Sequence, residues 1–190
     1  MAAVRRDGLG PGGAAVMARY DEVAALVAST AARPSAEPGL SATASVVVHR
    51  EARLLDTGQL AAWLSWFTED AVAWVALPGV AHPAADQSLY LDDRRRLAER
   101  VGWHAEPSAW GQHPASTCVR TVGTVEAWTD DGRVVVVRSA FTLVEQRHGE
   151  HQLVAGHQVH ELVGPELRCR TKVLLVPALA AGLRNPSFLL

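Results

Sequence analysis

VVVHREARLLDTGQLAAWLSWFTEDAVAWVAL, residues 46–77, decides the fold of this chain. Apolar residues recur at helical spacing on both sides of the breaker Asp56-Thr57-Gly58, which predicts two helices, over Thr43–Leu55 and Gln59–Phe67. The short apolar run Ala71–Leu77 follows them and ends at a Pro-Gly pair, as a buried strand does. Two amphipathic helices that lead into a buried strand need a sheet to cover, so we expect a sheet in the rest of the chain.

The segment after this opening unit predicts one more helix and a long loop. A brief strand at Ser88–Leu91 is followed by a helix that starts at Asp92-Asp93 and carries arginines further on, the order that a helix dipole favours. Gly102 is expected to end this helix. The loop Trp103–Pro114 is unusually long for a compact domain, which indicates a functional or partner-binding role.

Four long strands are predicted in the second half of the chain. Three turn signals separate them, at Asp130-Asp131-Gly132, His148-Gly149 and Gly164-Pro165. Their ranges are Thr117–Trp128, Arg133–Arg147, His151–Val163 and Glu166–Val176. Helices followed by consecutive hairpins predict an α+β fold, a cone-shaped curved antiparallel sheet packed around the N-terminal helices.

The predicted domain covers residues 41–177. Residues 1–40 are rich in Ala, Gly and Pro, so we expect a loosely ordered N-terminal extension with at most a short helix at Tyr20–Ala28. Residues 178–190 are expected to form a C-terminal tail.

Composition gives no support for several kinds of partner. The 190 residues carry a formal net charge of −2, which gives no electrostatic reason to expect nucleic acid or an anionic membrane. No apolar run approaches the roughly 20 residues that a membrane span needs. Cys118 and Cys169 are too few for a disulfide framework and fit buried thiols in a reducing compartment. We therefore expect a cytoplasmic protein.

The sequence also lacks the motifs of a metal site. A Rieske cluster needs Cys-x-His pairs, and neither cysteine has a histidine two residues after it. His157 and His160 are three residues apart on a predicted strand, so their side chains face opposite sides of the sheet and cannot share an iron. We expect no cofactor and no metal in this chain.

Acid–base chemistry stays open as an alternative. Asp56, Asp70, His104 and His157 could reach a pocket inside a cone, where a buried carboxylate and a histidine could move a proton. Turn and cap roles for the two aspartates are the plainer interpretation. The alternative function is a stand-alone isomerase, cyclase or dehydratase, or a small-molecule-binding module.

A set of residues spread along the chain follows a pattern that is found in a known family. Its members are Glu51–Asp56, Trp63-Leu64, Phe67–Asp70, Leu91–Asp93, Leu97, Arg100-Val101, Trp110, Pro114, Val137–Phe141 and Gly156–Leu162. In this pattern the chain resembles the small (β) subunits of aromatic-ring-hydroxylating dioxygenases. The similarity runs in order from about Ser45 to Val176. It departs at Ser116 and Cys118, where arginines are usual, and at His160, where an acidic residue is usual.

The resemblance implies a nuclear-transport-factor-2-like cone without a redox centre. It implies a non-catalytic scaffold in the catabolism or modification of an aromatic compound. A large (α) subunit would carry the Rieske [2Fe–2S] cluster and the mononuclear iron. Three large and three small chains would assemble, and self-association is possible.

We expect the partner to dock on the helix and loop that follow the brief strand. Tryptophan and arginine are enriched at interface hot spots, and both occur there. The predicted contact residues are Asp92, Asp93, Arg100, Trp103, Trp110 and Pro114.

Overall fold

The computed structural model describes residues 10–34, 36–85, 88–106, 114–130 and 132–177. Helices come first and long strands last, as the sequence predicts. In chain order the elements are α1 (Pro11–Ala31), α2 (Pro38–Asp56), α3 (Leu60–Ser65), β1 (Phe67–Ala76), β2 (Ser88–Asp93), α4 (Arg94–Ala105), β3 (Thr117–Asp130), β4 (Val134–Arg147), β5 (Glu150–Val163) and β6 (Arg168–Leu175).

The strands form one sheet in the order β2-β1-β6-β5-β4-β3. The predicted α+β architecture is confirmed, and the last four strands are sequential neighbours as expected. The sheet is not purely antiparallel, because β1 and β6 run parallel. The last strand, β6, therefore lies between β5 and β1, the strand that follows the helical hairpin.

Helix α2 fills the concave side of the sheet. Its buried residues include Val48, Leu54 and Leu55, which confirms the predicted apolar stripe. The helix begins at Pro38, five residues before the predicted start at Thr43, because proline is well suited to the first helical position.

The short helix α3 and the start of β1 complete this core. Trp63 is 2% exposed and Phe67 is fully buried, as the fold prediction requires. Their rings meet edge to face with centroids 4.8 Å apart, a favourable aromatic arrangement. The strand begins at Phe67 rather than at Ala71, so α3 is shorter than the predicted second helix.

Helix α1 differs from the expectation of a loosely ordered extension. Residues 11–31 form a helix that packs on the outer face of the sheet, where Val23 is fully buried. Arg19 secures the helix through a hydrogen bond to the hydroxyl of Thr171 at 2.6 Å and an ion pair with Glu161 at 3.2 Å. The outer face needs this cover because it carries apolar side chains, among them Trp74, Val136, Val159 and Val173.

Helix α4 also differs at its end. Asp93 caps its start by accepting a hydrogen bond from the backbone N–H of Arg96 at 2.8 Å. Gly102 does not end the helix, which continues to Ala105. Among the described residues, no helix combines the length and the apolar character needed to cross a membrane.

The backbone at the end of β6 passes very close to a glycine of β5. After β6, the backbone at Leu175 and Val176 lies directly against Gly156 of β5. A Cβ atom on Gly156 would stand 2.3 Å from the carbonyl oxygen of Leu175, closer than any side chain tolerates. Val176 is then buried in a cluster with Val154 on the concave side. Gly156 therefore lets the end of the chain close over that side of the cone.

Candidate functional site

A buried polar centre occupies the interior of the cone. Glu51 projects from the apolar stripe of α2 and accepts hydrogen bonds from Lys172 at 2.6 Å and from the indole N–H of Trp63 at 3.1 Å. The Nε2 atom of His160 lies 2.9 Å from its second oxygen. None of these side chains is more than 4% exposed. Glu51 is thus the common partner of groups from α3, β5 and β6.

Charge pairing decides the ionisation of Glu51. Burial alone would raise the pKa of its carboxyl, but Lys172 and His160 act more strongly and hold that pKa well below its usual range. Glu51 is therefore an anion at neutral pH. An anion that is buried, paired and hydrogen-bonded on both oxygens is a poor proton acceptor, which suits a structural role better than a catalytic one.

The interior of the cone around Lys172 has little free space. Two small cavities flank Lys172, with volumes of about 20 and 10 Å³. A space of this size holds about one water molecule, and small-molecule sites are more than an order of magnitude larger. The interior next to Lys172 therefore has no room for a small-molecule ligand.

The two aspartates of the acid–base alternative pair with arginines of different strands. Asp56, at the end of α2, accepts a hydrogen bond from the backbone N–H of Arg120 at 2.8 Å and pairs with its guanidinium. Asp70 lies on β1 and accepts from Arg170 Nε at 2.8 Å. Burial opposes ionisation of Asp70, but the hydrogen bond from Arg170 prevails and lowers its pKa. Each carboxylate therefore links two elements, α2 with β3 for Asp56 and β1 with β6 for Asp70.

The two histidines lie elsewhere again. His104 is half-buried in the last turn of α4. His157 alternates with the inward-facing His160 along β5 and so lies on the outer face of the sheet. Burial and the nearby Arg138 lower the pKa of His157. The structure does not bring the four predicted acid–base residues together at one pocket.

The polar centre could be found from sequence only in part. Glu51 lies three residues after Val48 and four before Leu55, so its position on the buried face of α2 is visible in the helical spacing. His160 and Lys172 pair across β5 and β6, and this register depends on the folded sheet.

A groove of about 420 Å³ lies between β2 and α4, on the surface where we expect a partner. Arg100 pairs with Asp92 at 2.6 Å and stacks on the ring of Tyr90, with its guanidinium carbon 3.8 Å from the ring centroid. The side chain of Trp103 is 65% exposed at the same groove. The residues that line it are Pro83, Ser88–Asp92, Arg96, Glu99, Arg100 and Trp103.

Three of the six predicted contact residues therefore meet at this groove: Asp92, Arg100 and Trp103. Asp93 is exposed beside it and caps α4. Pro114 is exposed just before β3. Trp110 lies outside the described residues.

The described residues contain no group of three or more His, Cys, Asp or Glu side chains able to hold a metal ion. Cys118 and Cys169 are free thiols, and burial raises the pKa of Cys169 well above the usual value. The donor set therefore does not fit a Rieske cluster or a mononuclear iron in this part of the chain.

Comparison with known proteins identifies relatives. The family model described as the ring hydroxylating beta subunit matches residues 50–167. The small oxygenase component of the p-cumate 2,3-dioxygenase system of Pseudomonas putida is 31% identical over 119 residues. That match covers 61% of this chain and 66% of the relative.

Solved structures show the same fold at lower identity. The beta subunit of benzoate 1,2-dioxygenase from Burkholderia mallei has a TM-score of 0.65 and 21% identity, covering 83% of this chain and 100% of that one. A chain of naphthalene 1,2-dioxygenase, solved with indole in the active site, has a TM-score of 0.70 and 19% identity, with full coverage of both chains. These likenesses establish the cone architecture.

Proposed function

This chain belongs to the ring hydroxylating beta subunit family, and from this membership we propose that it is a non-catalytic scaffold within an aromatic-ring oxygenase. In this proposal a separate large subunit binds the aromatic compound and performs the oxygen chemistry. The small subunit holds the large one in its assembled form.

The close packing around Lys172 inside the cone carries this proposal. A catalytic cone would need a pocket with a usable acid or base inside it. Here Lys172 lies between cavities of about 20 and 10 Å³, and the nearby Glu51 is already bonded on both oxygens. These features favour a rigid support over an enzyme that works alone.

The groove between β2 and α4 is the proposed docking surface for the large subunit. Trp103 is a large, exposed side chain on its wall, and Arg100 is held in place by Asp92. Fixed arginines and exposed tryptophans are the residue types that dominate interface energetics. The large subunit is proposed to carry the Rieske cluster and the mononuclear iron, in an assembly of three large and three small chains.

Purification of the chain alone and with the large subunit tests the function. Alone, it should contain no iron and should not oxidise aromatic compounds. Co-expressed with the large subunit, it should co-purify in a stable complex of equal numbers of both chains. Oxygenase activity should require that complex.

A second set of variants separates the scaffold from the alternative enzyme. Asp56→Asn, Asp70→Asn, His104→Gln and His157→Gln, made one at a time, should change only stability or assembly. Turnover by the isolated chain that one of them abolishes, with folding intact, would contradict the scaffold and support a stand-alone isomerase, cyclase or dehydratase.

A further inference from the structure

The edge strand β2 exposes backbone groups along the groove. It ends the strand order, with β1 as its partner on one side. The carbonyl of Leu91 accepts a hydrogen bond from Arg96 Nη1 of α4 at 3.1 Å, and from this bond we infer that the carbonyl faces the free edge rather than β1. In an extended strand the N–H of a residue points to the same side as its C=O. Leu91 therefore presents a donor and an acceptor to the free edge.

The groove follows this edge and not one face of the sheet. Tyr90 packs with the inner apolar cluster, whereas Leu91 packs with the outer one. Both line the groove, so its opening lies at the edge where the two faces meet. Helix α4 forms the opposite wall, so the edge and the helix enclose a channel suited to extended chain.

The side chains of the channel specify what it would accept. Asp92 pairs with Arg100 and Glu99 pairs with Arg95, so these carboxylates are already neutralised. The guanidinium of Arg96 forms no ion pair within the described residues, and its hydrogen bond there goes to the carbonyl of Leu91. The hydroxyl of Tyr90 is buried with no hydrogen-bond partner among the same residues. A ligand with one carboxylate, to pair with Arg96, and one further hydrogen-bonding group, to bond the Tyr90 hydroxyl, would satisfy both side chains.

We propose that an extended segment of the large subunit adds to the free edge of β2 as an extra strand. This inference rests on the proposed function. The backbone of the segment pairs with the N–H and C=O of Leu91, and an apolar side chain covers Trp103. A carboxylate of the segment forms an ion pair with Arg96. The guanidinium of Arg96 then releases the carbonyl of Leu91. Strand addition gives affinity through main-chain bonds and specificity through the side-chain contacts.

Hydrogen–deuterium exchange on the native chain tests this pairing directly. The Leu91 amide should exchange rapidly in the isolated chain, and assembly with the large subunit should slow it by about tenfold or more, since the amide gains a ladder hydrogen bond. An amide that exchanges equally fast in the complex would overturn the proposal. Slow exchange already in the isolated chain would also overturn it, because other residues of the chain would then cover the edge.

A matched pair of variants tests the same donor. Leu91→Pro removes the N–H on the free side, where proline is tolerated, whereas Leu91→Ala removes the side chain and keeps the N–H. Leu91→Pro should weaken assembly about tenfold more than Leu91→Ala. Equal affinities would reject the added strand while leaving the scaffold function intact. Failure of the unmodified chain to bind any large subunit would instead reject the scaffold function.

Discussion

The Nζ atom of Lys172 lies 2.6 Å from the Oε1 atom of Glu51, where both side chains are almost completely buried. The two residues are 121 positions apart in sequence. Their ion pair joins the last strand to the helix that fills the cone. Each charge of this pair therefore has its partner inside the core.

Removal of the cation should therefore destabilise the fold strongly. Lys172→Met keeps most of the length of the side chain but leaves Glu51 as an unbalanced buried charge. We expect the free energy of unfolding to fall by about 3–5 kcal/mol, measured by urea denaturation. Arg95→Met is the matched control, because Arg95 is exposed and its pair with Glu99 is worth only about 0.3–0.5 kcal/mol. Similar losses in the two variants would show that the buried pair adds no more stability than an exposed one.

Acid should weaken the same centre. The pKa of Glu51 is lowered in the folded chain from its ordinary value of 4.5, so the unfolded chain binds a proton at this residue before the folded chain does. Its contribution is complete above pH 4.5 and is lost as the pH falls further, towards the folded pKa. The stability difference between the native chain and Glu51→Gln should therefore shrink below that pH. A difference that stays constant during acid titration would contradict this linkage.

The sequence predicts the elements well and their long-range contacts poorly. The stripe on α2 and the turn at His148-Gly149 are local patterns, and both residues of that turn have the positive φ angles that a tight hairpin needs. The contact between Glu51 and Lys172 depends on the register of β6 against β5, which no local pattern encodes. The same limit applies to α1, whose burial depends on apolar residues far along the chain, such as Val159.

The packing of α1 can be tested within that one helix. Val23 is fully buried against the outer face of the sheet, whereas the side chain of Val16 is 49% exposed. Val23→Ala should lower the free energy of unfolding by about 2 kcal/mol through lost burial and a residual cavity. Val16→Ala should have almost no effect or be slightly stabilising, since alanine favours helices. Equal effects on thermal unfolding would mean that α1 does not pack on the sheet in solution.

A pair of glycine substitutions tests the crossing of the chain end. Gly156→Ala places a Cβ atom 2.3 Å from the carbonyl oxygen of Leu175, so the end of β6 must move. We expect a loss of about 1–3 kcal/mol, the range typical of overpacking. Gly102→Ala meets no atom within 4 Å and lies inside α4. It should stabilise the chain by about 0.5–1 kcal/mol, and a stabilising Gly156→Ala would refute the close approach.

Trp103 provides the sharpest test of the docking surface. Its side chain is 65% exposed in the isolated chain, so truncation removes little packing there. If it anchors the large subunit, Trp103→Ala should weaken assembly by about 2 kcal/mol or more while the melting temperature of the isolated chain stays unchanged. Calorimetric titration of the large subunit with the native chain and with Trp103→Ala measures the change in the free energy of assembly.

Trp63→Ala makes the same substitution at a position that is 2% exposed and gives the opposite expectation. It should cost the isolated chain about 3–5 kcal/mol, because it empties the core and removes the indole donor to Glu51. The same Trp→Ala change at the two positions thus separates the energy of the interface from the energy of folding. Normal assembly of Trp103→Ala would move the docking surface away from the groove between β2 and α4. Early melting of the same variant would show that Trp103 supports the fold and not the interface.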